Sequence, residues 1–338
     1  MKKLLNFEDP VYLLFGWDAK EARPNCDPFT GNLRVHTQTN QVWTTKVHLK
    51  HHIRRTFPEV GKLFLKDKAE FATFYKKFGE DGDPISFNRR LDAIAKAFGF
   101  DKSDGRAPVD YTLDLPVFGF VNAYQNPKKG KKKPAEAEDN DEVETFHLTN
   151  AVNTLFDPVT FHSCEIEQIG TNNAFPGEKD GEVNFAAGSS SRDVLQYGFF
   201  LALIEINLPT LANNTKSHKF IPWNNGAGAT VWIQLLSDAL HAAYKTKRYP
   251  SDSQRSQFEK FQIIWQPNQE EIVEHIYPRD LIELLPNRKI TSWTKAVPAL
   301  NNIILPPLLK GYRLSNDNLL FSRFADGLQV STYAAPGI

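Results

Sequence analysis

Cysteine is scarce in this chain, two among 338 residues, and Cys26 and Cys164 lie too far apart to form a paired motif. That excludes a disulfide framework and a cysteine-based zinc site, and leaves both thiols as ordinary side chains. Long apolar runs are missing as well. The opening MKKLLNFEDP has too short an apolar stretch for a signal peptide, and no segment approaches a membrane span. A cytoplasmic chain with no membrane partner is the expectation. Net charge is absent too, with 40 basic residues against 40 acidic ones. The sum does not exclude nucleic acid, because distribution decides. From Lys46 to Lys66 stand Lys46, Lys50, Arg54, Arg55, Lys62 and Lys66 against Glu59 alone, a basic patch in a neutral protein.

Catalytic signatures are also lacking. GAGATV, Gly226 to Val231, opens a helix as a phosphate-cradling turn would. It has no third glycine and no following Walker lysine, so it reads as a flexible helix start. No Ser, His, Asp or Cys, His arrangement has the local context of a nucleophile. Glu165 and Glu167 share a strand face and read as a solvated edge. His48, His51 and His52 have helical spacing that suits a metal, but no Cys or carboxylate close in sequence completes the set. Neither a metal nor a cofactor is expected, and the chain is not expected to be an enzyme.

What is present concentrates between Val11 and Phe57. VYLLFGW, Val11 to Trp17, is apolar, aromatic and β-branched, a buried strand by pattern. RPNCDPFTGNLR, Arg23 to Arg34, follows as a long loop, because its Pro, Asn, Asp and Gly residues forbid regular structure. TTKVHLKHHIRRTF then predicts a helix, with Thr44 or Thr45 as N-cap and Leu49, Ile53 and Phe57 on one apolar stripe. Lys46, Lys50 and Arg54 occupy the adjoining stripe. Such a helix docks its apolar edge and offers a row of cations to a phosphate backbone; a merely solvated basic face is the alternative.

At these residues the chain resembles the Cas seven group of the RAMP superfamily, the backbone subunit of type I CRISPR effector (Cascade) complexes. That family carries a strand, a loop of the form NPNGDP followed by GN and an Arg, then a helix resembling TDVxLKRKIRxY. The loop here reads RPNCDP and GNLR, through Pro24, Asn25, Asp27, Pro28, Gly31, Asn32 and Arg34. The helix matches at Thr45, Val47, Leu49, Lys50, Ile53 and Arg54. Cys26 stands where the family has Gly, so left-handed backbone is not expected there. Lys46 replaces an Asp. His51 and His52 replace a basic pair, which makes part of the helix's charge pH-dependent. LDLPVFGFV (Leu113 to Val121) is similar to the family's central strand, DPVTF (Asp157 to Phe161) to the next, and SSSRDVLQYGFFLALIEIN (Ser189 to Asn207) to a long strand after them.

The resemblance implies an α+β fold of one domain, 1–338. Its core would be a modified RNA-recognition motif (ferredoxin-like), with helical insertions (58–110), an exposed charged loop (127–144) and a β-hairpin thumb (164–192). It implies RNA contacts from Arg23, Asn25, Arg34, Lys46, Lys50, Arg54, Ser190 and Arg192, with Phe175 and Pro176 at the thumb tip. The implied partners are CRISPR RNA, target DNA through that RNA, copies of the chain in a head-to-tail array, and other Cascade subunits. Two other readings stay open: a type III-like subunit that cuts target RNA with Asp27, and a stand-alone regulator of the developmental-regulator branch.

Pattern alone fills in the remainder. PKKGKKKPAEAEDNDEVE, Pro127 to Glu144, has almost no apolar residue to offset chain entropy and reads as an exposed loop. Asp67 to Phe78 and Arg89 to Phe98 predict short amphipathic helices, Val231 to Tyr249 a long one, and Phe258 to Gln266 a strand. Helices on one face of a sheet follow from that order.

Overall fold

A computed structural model describes residues 5–74, 85–122, 146–172, 177–179, 182–184, 189–224, 227–244, 259–267, 289–314 and 318–323, with 285 and 328. The charged loop 127–144 lies outside these residues. The apolar run near the N-terminus forms β1, Val11–Ala22, at the centre of a seven-stranded antiparallel sheet. Its neighbours are β9, Ser189–Ile206, and β10, Lys260–Trp265. Successive side chains of a strand point to opposite faces. Val11, Leu13, Phe15 and Trp17 therefore join one apolar cluster, and Tyr12 and Leu14 another. Gly16 is required by close packing, since a Cβ there would come within 2.3 Å of the Phe261 ring.

Helices cover both faces, not one. On the first lie α1, Lys46–Val60, and α7, Ala227–Ala243, which bury Leu49, Ile53, Phe57, Trp232 and Leu236. On the second lie α8, Trp293–Ala299, a π turn at Leu300–Ile304, and α9, Leu305–Gly311. Proline hides this second layer from the sequence. Pro306 and Pro307 stand at the start of α9, where a missing N–H costs nothing, and Pro298 sits inside α8 just before the π turn.

A chain path of strand, helix, strand, strand, helix, strand runs through β1, α1, β4 (Val152–Thr154), β9, α7 and β10. Their order across the sheet is β10-β1-β9-β4, with β11, Leu319–Arg323, beyond β10. Between α1 and β4, α2 (Lys62–Leu65), a 3-10 turn (Lys66–Phe71), α3 (Phe87–Phe98) and α4 (Ala107–Tyr111) gather partly around a small core of Phe74, Leu91, Ile94 and Val109. Leu113 to Val121 is not one strand. It forms α5, Asp114–Phe118, then β2, Phe120–Asn122, which pairs with β3, Phe146–Leu148. Pro116 cannot donate to a ladder but is tolerated in a helix's first turn.

The long β9 outreaches β1, whose last partner, Ala22, faces Leu195. Beyond that point β9 pairs with β6, Ile166–Asn172, so the two strands form an arm past the sheet. Nearer the sheet β9 also pairs with β5, Val159–Thr160. Further along the arm's sequence, β7 (Gly177–Lys179) pairs with β8 (Glu182–Asn184) in the same register. Its last pair is Lys179 with Glu182. Phe175 and Pro176, expected at the thumb tip, lie outside the described residues.

Candidate nucleic-acid interface

The loop between β1 and α1 is built by its own polar side chains. Asn25 takes a left-handed φ of 46°, and Gly31 one of 70°. Cys26 takes none, so its Cβ meets no backbone cost. The Asp27 carboxylate accepts from the backbone N–H of Phe29 (3.0 Å) and Thr30 (3.1 Å), and Arg34 lies 3.4 Å from its other oxygen. Asp27 and Asn32 close the turn through a 2.8 Å backbone bond. The Thr30 and Phe29 N–H groups, then Arg34, hold the Asp27 carboxyl below the usual carboxylate range.

Two further bonds tie this loop to its surroundings. Asn25 Nδ2 donates to Thr45 Oγ1 at 3.1 Å, the same hydroxyl that caps α1 by accepting from His48 N–H. Arg23 Nε donates to the Asp193 carbonyl at 3.0 Å, and its other end reaches the Gly31 carbonyl. Loop, α1 N-terminus and the β6/β9 arm thus meet. Arg192 is exposed on that arm, opposite Ile169, and Ser190 lies opposite Thr171. Arg34 also stacks over Trp43, 5.2 Å from the ring centroid.

Along α1 the cation row divides. Arg54 packs 4.8 Å above the Phe118 ring and pairs at 3.7 Å with Asp114, whose side chain is buried. It is anchored inward, which its sequence spacing could not reveal because Asp114 and Phe118 belong to α5. Lys50 lies 5.8 Å over the same ring, and burial, then Arg54 and Lys46, lowers its ammonium pKa. Lys46 donates to the Leu155 carbonyl at 3.4 Å. Among the described residues neither lysine has a carboxylate at ion-pair distance. The stripe facing outward is Val47, His51 and Arg55, with Val47 and Arg55 exposed. Arg55 was legible only as part of the basic patch, although its i+4 and i+8 spacing from His51 and Val47 marks the same face.

Burial disfavours the charged form of the three α1 histidines. His48 and His52 approach Nε2 to Nε2 at 3.0 Å, so one ring donates to the other. Burial pushes His48 down to about 4 and His52 well below the ordinary imidazole value, and lowers His51 as well. Among the described residues no group of three or more His, Cys, Asp or Glu is placed to hold a metal. Glu165 and Glu167 are exposed and engage Lys289 and Gln196.

Stability should respond to these imidazoles. His162 and His218, buried in the two cores with both ring nitrogens hydrogen-bonded, are also pushed down to about 4. A His with a depressed folded pKa binds fewer protons than the unfolded chain between that value and about 6.5. Its stabilising effect is therefore complete above pH 6.5 and lost as pH falls toward 4. Asp18, buried and raised to about 7, acts in the opposite sense. These five lowered imidazoles outnumber the one raised carboxyl, so the melting temperature should fall on acidification from about pH 6.5 to 4. A thermal scan series across that range checks it, and a melting temperature that rises on acidification would contradict it.

No protein family matches the chain, and no curated protein does. Solved structures do. A chain of a structure titled "CRISPR RNA-guided surveillance complex, pre-nicking" aligns over 90% of this chain and 89% of its own, with a TM-score of 0.50 and 13% identity. A chain of a "CRISPR RNA-guided surveillance complex" aligns over 90% and 86%, with a TM-score of 0.46 and 11% identity. At that identity the first likeness is one of fold.

Proposed function

We propose that this chain is a Cas seven-type backbone subunit of a type I CRISPR effector complex. Several copies would line up on one CRISPR RNA and present its bases for pairing with target DNA. The observation that carries the reading is the meeting of three segments: Arg23 bonds Asp193 on the β9 arm, and Asn25 bonds Thr45 at the start of α1. A cradle with Lys46, Lys50 and Arg192 around a braced loop suits a sugar-phosphate backbone. The core order β10-β1-β9-β4, with helices after the first and third of its strands along the chain, supports a modified RNA-recognition motif. The fold shared with a chain of an RNA-guided complex supports the same assignment. Base pairing, not the protein, would read sequence.

The subunit binds without cutting on this reading. Asp27, the residue an RNA-cleaving relative would use, spends both oxygens on its own turn and on Arg34. Head-to-tail contacts between copies are heterologous and produce an open array. Loading the protein on single-stranded RNAs of graded length should give particles that grow in steps of one 38.4 kDa chain. One closed oligomer of fixed mass on every RNA would contradict the proposal and favour a stand-alone regulator.

A further inference from the structure

Phe29 is 96% exposed, the most solvated large apolar side chain among the described residues. Its turn is nonetheless fixed. Its own N–H is bound to Asp27 Oδ1, Gly31 N–H bonds the Asp27 carbonyl at 2.8 Å, Arg23 grips the Gly31 carbonyl, and Arg34 pairs with Asp27. The ring gains no burial on folding, since none of the described residues covers it. The same turn is tied through Arg23 to the β9 arm and, through the neighbouring Asn25, to the cap of α1.

We infer that Phe29 is a stacking platform for one unpaired base of a bound single-stranded RNA, an inference that rests on the RNA-scaffold reading above. Ring and cations divide the labour. In a bound complex Lys46, with Arg34 behind the turn, would supply charge for the phosphates, while Phe29 would offer a π-face that any base can cover. A protein partner would need an apolar surround to exclude water from the ring. Apart from the adjacent Pro28, the turn offers Asp27, Thr30 and Asn32, with Thr30 and Asn32 exposed. A rigid, isolated aromatic among polar and cationic groups fits a base better than a second copy of the chain.

The test compares wild-type, Phe29→Ala and Phe29→Trp full-length protein on single-stranded oligouridine, on oligoadenosine, and on an oligomer with abasic sites. Stacking of one base is lost in Phe29→Ala, which should weaken binding about 5- to 150-fold on the base-containing oligomers. The salt slope should stay unchanged, because no phosphate contact is removed. Phe29→Trp should bind like wild type, and the abasic oligomer should not distinguish the three proteins. An exposed site predicts equal melting temperatures for all three. Salt-dependent RNA binding that Phe29→Ala leaves untouched overturns the inference while the scaffold reading stands. Wild type that binds no RNA overturns both. Unchanged RNA affinity with lost self-association, seen by light scattering, overturns it in favour of a second copy of the chain.

Discussion

Asp114→Ala is expected to cost about 3–5 kcal/mol of folding stability, the range for removing one partner of a buried ion pair. The Asp114 carboxylate accepts the Phe74 backbone N–H at 2.7 Å and the Thr73 hydroxyl at 3.0 Å, and pairs with Arg54. Arg90, also buried, feels the same charge. Alanine would leave a buried backbone donor unbound and Arg54 without this carboxylate beside it. For a chain of this size that is a fall in melting temperature of roughly 4–7 °C. Arg54→Ala should destabilise in the same direction. Lys50→Ala should not, because Lys50 is half-buried among like charges and its ammonium is disfavoured where it stands. Thermal unfolding of the three variants decides the matter, and an Asp114→Ala protein that melts with wild type would remove the ion pair from the account.

The central strands and α1 were legible because their apolar residues recur with periods that the core preserves. Val11 to Trp17 reads as a strand, and Leu49, Ile53 and Phe57 read as a buried stripe, from spacing alone. The second helical layer was not legible. Pro298, Pro306 and Pro307 interrupt its pattern at positions where a helix start or a π turn absorbs them. Leu113 to Phe118 was misread because its apolar residues suit a strand as well as a short helix, and the buried carboxylate that fixes it bonds residues far away in sequence. In the site, the sequence identified the loop and the helix but not the direction of their side chains. Asn25 and Arg23 tie the loop to its neighbours, Asp27 builds its turn, and Arg54 points to α5. Phe29 and Arg55 passed unmarked as site residues, since exposure is a property of the folded chain and has no local sequence signal.

Lys46 and Lys50 carry the remaining weight of the RNA reading. Phosphates placed along their stripe would relieve the repulsion that Lys46 and Arg54 now exert on Lys50. Replacing both lysines by alanine removes two such contacts without opening the core. With about 0.7 counterions released per contact to a single strand, the salt slope should become shallower by roughly 1.4. The same relation makes the loss of affinity about 25-fold at 0.1 M salt. Unrelated RNA sequences should be affected equally, since phosphate contacts carry no sequence information. The decisive measurement is the affinity of wild-type and Lys46→Ala/Lys50→Ala protein for one single-stranded RNA across a salt series, with melting temperature recorded in parallel. A shallower slope in a fully folded variant is the predicted result; an unchanged slope with unchanged affinity would contradict the claim that this edge of α1 holds RNA.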